Sequence, residues 1–339
     1  MDIEKIKLEA AKVFSLMSDS DKLYLIPPFG LGDLMLHGGL SYAVQQKFGK
    51  KSSVLILQER FRSLEFEFEN VSEKKYLPFD TLIAFRDYVE ATKIYSGDNW
   101  IWGYFPKDDK GNYTNNRALE VTNQYKDGVY HLPFDTPLHY PHIKEISEES
   151  KARLRQEYAL DKKRTVILAP HYNSYAAPAD RSFWLKLVAN LNQRGYILYT
   201  NVGRSNKEGG HQSEQPLPDT RPMHVTYNES FFIVENSNCL IGSRSGLLDL
   251  LSLSRGRIFC VMRHDNWYCH VKGMFPNTPS TFHDFCFDFA FLPNLQHFMN
   301  AFGIGGMQIG GIRHKVIPDG SMFWSEDSLL AAILHAVVG

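Results

Sequence analysis

Lys22-Leu-Tyr-Leu-Ile-Pro-Pro-Phe-Gly-Leu-Gly-Asp33 is the stretch on which the fold turns. Its first half reads as a short apolar strand and its second as a glycine-rich turn, and Leu34 to Phe48 continues as a helix. Ser53–Gln58, Ser-Val-Leu-Ile-Leu-Gln, is a second apolar strand. Two apolar strands joined by one helix predict a parallel crossover, the opening unit of a doubly wound sheet.

Working outward, the same alternation restarts at Thr165. Thr165–Ala169 reads as a buried strand, Ser182–Arg194 as a helix and Tyr196–Asn201 as a strand. Phe231–Asn236 then reads as a short helix, Cys239–Ile241 as a strand, Gly246–Leu253 as a helix and Arg257–Met262 as a strand. Before the restart lie Pro133, Pro137 and Pro141, and a surface helix over Ile146–Tyr158 with Ser147 as its N-cap and Ser150 as the alternative. A chain of 339 residues is long enough for two domains. The expected division is 1–145 and 146–339, against the alternative of one large α/β domain with an insertion. Residues 60–145 are harder to read. Leu82–Val89 is a strand or a helix end, and Asp98–Val129, polar and aromatic, is expected to form loops facing a cleft.

The remaining features narrow the class. The formal net charge is −1, so the basic footprint of a nucleic-acid binder is missing and no nucleic-acid partner is expected. The four cysteines contain no Cys-x-x-Cys pair, which fits a reducing compartment. Charged residues run through Met1–Met17, unlike a secretory signal. Ile3, Ile6, Ala10, Val13 and Met17 recur at helical spacing, as an interfacial anchor or as a stripe packed on its own domain. Ser325–Val338 reads as a closing helix with acids in its first turn.

Three loops carry candidate chemistry. In Gly30-Leu-Gly-Asp33, Gly30 and Gly32 let the backbone turn and let another group approach, while Asp33 brings a carboxylate to a helix mouth. There it could accept the proton of an attacking hydroxyl, or serve only as a helix cap. In Gly242-Ser-Arg-Ser-Gly-Leu-Leu-Asp249 a strand ends in small residues and a helix follows. Ser243, Ser245 and Gly246 offer amides and hydroxyls to phosphate, Arg244 could neutralise a diphosphate, and Asp249 could touch a sugar hydroxyl or orient Arg244. Ser243 or Ser245 as a plain N-cap is the alternative. After the strand ending at Ala169 come His171, Asn173 and Ser174, followed by Arg181 at the next helix, placed to meet a ligand beyond the strand ends. Arg263–His270, with polar and aromatic groups, could hold a base or a sugar ring. Together with the nearby His283 and Cys286, its histidines and its one cysteine lack zinc spacing, so no metal is expected. Phe302–Gly311 is glycine-rich but follows no clear strand and reads as a loop.

Taken in order, these pieces resemble the heptosyltransferase-like glycosyltransferases, the family-9 type. Pro28–Met35 is similar to that family's N-terminal Gly-x-Gly-Asp loop. Thr165–Asn173 with Phe183–Leu191 is similar to its strand, proline turn and tryptophan-containing helix, and Phe232–Leu250 to its donor-binding helix, strand and Ser-Gly turn. The resemblance implies a GT-B fold, two Rossmann-like domains facing across a cleft. It also implies an inverting, metal-independent transfer from a nucleoside-diphosphate sugar to a glycan or glycolipid acceptor. It makes Asp33 the base, Ser245 and Gly246 phosphate ligands, and the nucleotide sugar a co-substrate with no further cofactor. One departure stands out: Asp249 occupies the place of the family's usual histidine, which speaks for a donor other than ADP-heptose. The expected location is the cytoplasm, with room for peripheral contact at the inner face of a membrane. The alternatives are a sugar-nucleotide epimerase or hydrolase of the same fold, which would draw on His171, His211 and Asp249, and a non-catalytic sugar-nucleotide-binding protein. A nicotinamide dehydrogenase fits less well, since the first loop is not Gly-x-Gly-x-x-Gly.

Overall fold

Strand β1 (Lys22–Ile26) and strand β2 (Ser52–Gln58) pair in parallel with Leu25 opposite Leu55, and both are buried over nearly their whole length. Strands covered on both faces must be apolar throughout, which is why they stand out in the sequence. They belong to a computed structural model that describes residues 3–27, 30–114, 121–171, 181–202, 215–243, 245–263, 281–287 and 326–338.

Ahead of β1, helix α1 (Ile3–Ser15) buries Ala10 and Val13, with Met17 just beyond, in a cluster with Tyr24, Phe85 and Trp100. The lower part of its apolar stripe therefore packs on its own sheet, while Ile3 and Leu8 stay exposed. Helix α2 (Leu31–Lys47) joins β1 to β2. After β2 come a single 3-10 turn (Glu59–Phe61), β3 (Phe66–Glu67), β4 (Val71–Leu77), α3 (Phe79–Thr92), β5 (Ser96–Gly97) and β6 (Trp100–Trp102). The sheet order is β4-β2-β1-β6-β5, parallel except for β5.

Three readings change here. Helix α2 starts at Leu31, not Leu34. Gly30 is its N-cap, and Asp33, three residues on, accepts the Gly30 N–H at 2.9 Å, so the glycine-rich turn is already the helix's first turn. Leu82–Val89 lies inside α3. Asp98–Val129 is not all loop: β6 runs beside β1 with Ile101 opposite Leu25, and α4 (Val121–Tyr125) passes into one π turn (Lys126–Tyr130). Strand β4 escaped notice because it is an edge strand: its sequence, Val-Ser-Glu-Lys-Lys-Tyr-Leu, is only half-buried.

Past the short β7 (His142–Ile143), which pairs with β3, helix α5 (Glu148–Glu157) is capped as expected, Ser147 Oγ accepting the Ser150 N–H at 3.2 Å. The second sheet then contains β8 (Thr165–Ala169), β9 (Ile197–Asn201), β10 (Arg221–Met223), β11 (Cys239–Ser243), β12 (Arg257–Arg263) and β13 (Thr281–Phe287), in the order β10-β9-β8-β11-β12-β13 and parallel throughout. Counted within the sheet this is 3-2-1-4-5-6, the doubly wound order of dinucleotide-binding folds. Among the described residues its helices are α6 (Arg181–Gln193), α7 (Tyr227–Glu235), α8 (Gly246–Leu251) and α9 (Glu326–Val338). Helix α7 begins before Phe231 because Thr226 and Glu229 form a reciprocal cap, with bonds of 3.2 and 2.7 Å. Ile333 and Val337 of α9 are buried with Leu187 and Leu191 of α6. Among the described residues no helix is long and apolar enough to cross a membrane.

Candidate active site between the two sheets

Ligands of open α/β sheets sit beyond the carboxyl ends of strands, where the strand order reverses. In the first sheet that place lies between β1 and β6, and the chain leaves β1 into Gly30–Asp33. In the second it lies between β8 and β11, whose ends run on to His171 and to Ser245–Gly246.

The two places meet. The first turns of α2 and α8 abut: a Cβ added to Gly246 would stand 2.8 Å from Gly32 N and 2.9 Å from Leu31 Cβ. A Cβ on Gly32 would overlap Asp249 Oδ2. Neither glycine takes a left-handed conformation, so of the two expected uses of glycine the close approach is the one that applies. Asp249, only 2% exposed, presses its carboxylate against the first turn of the opposite helix, where partial positive charge gathers. A second cross-contact lies nearby. Asn228, at the start of α7, accepts the Glu65 N–H at 3.0 Å and donates to the carbonyls of Glu65 and Lys144, both at 2.9 Å.

Asp33 is half-buried at this junction. Its Oδ2 takes the Gly30 amide, so it is a cap; the Tyr125 hydroxyl faces its Oδ1 at 3.5 Å. Tyr125 is 3% exposed, set edge-on to the His37 ring at 4.9 Å and against Phe105 at 4.5 Å. One turn beyond Asp33 on α2, His37 is fully buried and its Nδ1 bonds the Tyr130 hydroxyl. Burial holds the imidazole down to about 3, hence neutral, and His37 Nε2 finds no partner among the described residues. Burial, and secondarily the Asp33 carboxylate, pushes the Tyr130 phenol far up. Arg60, half-buried in the turn after β2, has its guanidinium lowered by burial, while Tyr227 and Asp33 favour its charge.

The structure thus brings together Gly30, Gly32, Asp33, Gly246 and Asp249, with Ser245 as the N-cap of α8. On the second sheet, Ser243 is 2% exposed and donates its hydroxyl to the Pro170 carbonyl at 3.0 Å, tying the end of β11 to that of β8. The neighbouring His171 ring is fixed by the Gln215 carbonyl, 2.9 Å from Nε2. Arg181 opens α6 with its side chain exposed. Asn173, Ser174, Arg244, His211, His264–His270 and Phe302–Gly311 lie outside the described residues. Among those described, no three of His, Cys, Asp and Glu gather as a metal-binding group.

Arg60, His37, Tyr125 and Tyr130 were missed from sequence. Arg60 carried a usable signal, since it stands two residues past the end of a buried parallel strand. The tyrosines carried none, coming from a segment without periodicity.

Two doubly wound sheets, their strand ends meeting across a junction of helix N-termini, make this a GT-B architecture. Among solved structures the chain is similar to a glycosyl transferase family 9 protein of Veillonella parvula, with TM-score 0.55 and 13% identity over 95% of this chain and 98% of that one. It is also similar to the ADP-heptose LPS heptosyltransferase II of E. coli, with TM-score 0.48, 14% identity and coverage of 78% and 89%. A third likeness is to the E. coli heptosyltransferase WaaC solved with ADP, with TM-score 0.42, 8% identity and coverage of 78% and 93%. The sequence matches no protein-family model and no curated protein. The expected resemblance is met at the level of the fold.

Proposed function

We propose that the chain is an inverting glycosyltransferase that moves a sugar from a nucleoside-diphosphate donor to a hydroxyl of a glycan or glycolipid acceptor. The observation that carries this reading is the meeting of the Asp33 turn with the Ser245–Gly246 turn at the reversal points of both sheets. One side supplies a carboxylate and the other a turn of small residues suited to phosphate.

The step is a single displacement. The acceptor oxygen attacks the anomeric carbon as the bond to the diphosphate breaks, and the sugar inverts. Asp33 takes the acceptor proton, and the departing electron pair goes to the diphosphate. Ser245, Gly246 and the amides of that turn hold the phosphates, with Arg244 neutralising the charge that builds on them. His171, Asn173, Ser174 and Arg181 complete the donor side. The transfer calls on no metal. Asp249, seated against Gly32, touches a donor hydroxyl or orients Arg244. Donor and lipid-linked acceptor would meet at the cytoplasmic face of a membrane, touched peripherally.

Thermal shift with nucleoside diphosphates and sugar nucleotides tests the donor side, because a ligand that binds only the folded state raises the melting temperature. A shift with one base family, lost in Arg244→Ala, is expected. No shift across the panel would contradict the reading. Turnover of a sugar nucleotide with no acceptor present would mark an epimerase or hydrolase instead.

A further inference from the structure

We propose that Tyr125 is a positioning residue for the Asp33 carboxylate, holding Oδ1 in the orientation from which it receives the acceptor proton. The inference rests on the proposed role of Asp33. It starts from the way the two carboxylate oxygens divide: Oδ2 is fixed by the Gly30 amide at 2.9 Å, and Oδ1 is the oxygen that the Tyr125 hydroxyl faces at 3.5 Å. Contacts of this kind are often long before substrate binds and shorten in the reacting complex.

The tyrosine is itself held. It is buried, with its ring wedged between His37 and Phe105. The His37 ring is in turn anchored through Nδ1 to Tyr130, and that pair is fully buried. The result is a line of side chains from the interior to the carboxylate, each fixed by the one behind it. Asp33 is also faced by the N-terminal amides of α2, by Tyr130 from the π turn and by Arg60 from the turn after β2, and Asp249 of α8 lies against the adjacent Gly32. The Tyr125 hydroxyl is placed toward Oδ1.

A donor to the ionised form makes a carboxylate a stronger acid, so removing it raises the titration midpoint. The test is a carboxyl-carbon NMR titration of the full chain labelled in aspartate, with the Asp33 signal assigned by its disappearance in Asp33→Asn. In Tyr125→Phe, which keeps the ring packing, the Asp33 midpoint is expected to rise by about 0.5 to 1 pH unit. Replacing tyrosine by 3-fluorotyrosine strengthens the phenol as a donor, and should lower the midpoint in the wild-type chain but not in Tyr125→Phe. An unchanged midpoint in Tyr125→Phe, or an equal fluorotyrosine effect in both chains, would overturn the proposal. Full turnover by Asp33→Asn would instead overturn the proposed function, a result the titration does not share.

Discussion

Gly32 and Asp249, 217 positions apart in the chain, are in such close contact that a methyl group on the glycine would overlap the carboxylate. Gly32→Ala must therefore displace Asp249, at a cost of about 1–3 kcal/mol. Asp249→Ala leaves room, since Asp249 Cβ would lie 3.9 Å from the new methyl. The alanine at 32 should then be tolerated, and chemical denaturation of the single and double variants should show a coupling of about 0.5–3 kcal/mol. Gly246→Ala differs because its added methyl meets Gly32 N, a backbone atom, as well as Leu31 Cβ. Asp249→Ala should not relieve it.

Asn228 joins the first turn of α7 to two strands of chain from the other half. Asn228→Ala leaves the amide of Glu65 and the carbonyls of Glu65 and Lys144 without that partner, a loss of about 1–3 kcal/mol. Asn228→Asp keeps an acceptor for the Glu65 N–H but turns an oxygen toward carbonyls that need a donor. It should be the more damaging of the two in equilibrium unfolding.

His37 ties stability to pH. Its imidazole is held at about 3 in the fold, against 6.5 ordinarily, so the unfolded chain binds the extra proton first as pH falls. The contribution is intact above 6.5 and declines down to about 3, at roughly 1.4 kcal/mol per pH unit in that window. Between 6.5 and about pH 5 the loss is about 2 kcal/mol. Measured by denaturant unfolding, the wild type should weaken over this range more steeply than His37→Leu, which has no proton to take up. Parallel slopes would contradict the buried neutral state.

What could be read from the sequence follows from burial. Leu23–Ile26, Val54–Leu57 and Val166–Ala169 are covered on both faces, so their apolar runs announced parallel strands. Strand β4 is half wet and β6 only three residues long, and neither pattern survives at that length or exposure. The turns bearing Asp33 and Gly246 were legible because they follow legible strands. Their contact was not, since it joins residues 32 and 249 through tertiary packing. Asp249 shows the same limit: five residues past Arg244 in sequence, it suggested a sugar hydroxyl or Arg244 as its partner, and its place against Gly32 comes from tertiary packing that the sequence does not display. His37 and Tyr130 are likewise invisible as a pair, one in a helix face and the other in an irregular segment.

The central claim, that Asp33 is the base of a glycosyl transfer, is tested most directly by nucleoside-diphosphate release from the sugar nucleotide that binds, in the presence of a surface-glycan extract as acceptor. Wild type and Asp33→Asn would be compared, with donor-induced thermal shift measured on both. The account predicts that Asp33→Asn still binds donor but loses about 100-fold or more in acceptor-dependent release. Release at the wild-type rate by a folded, donor-binding Asp33→Asn would contradict it.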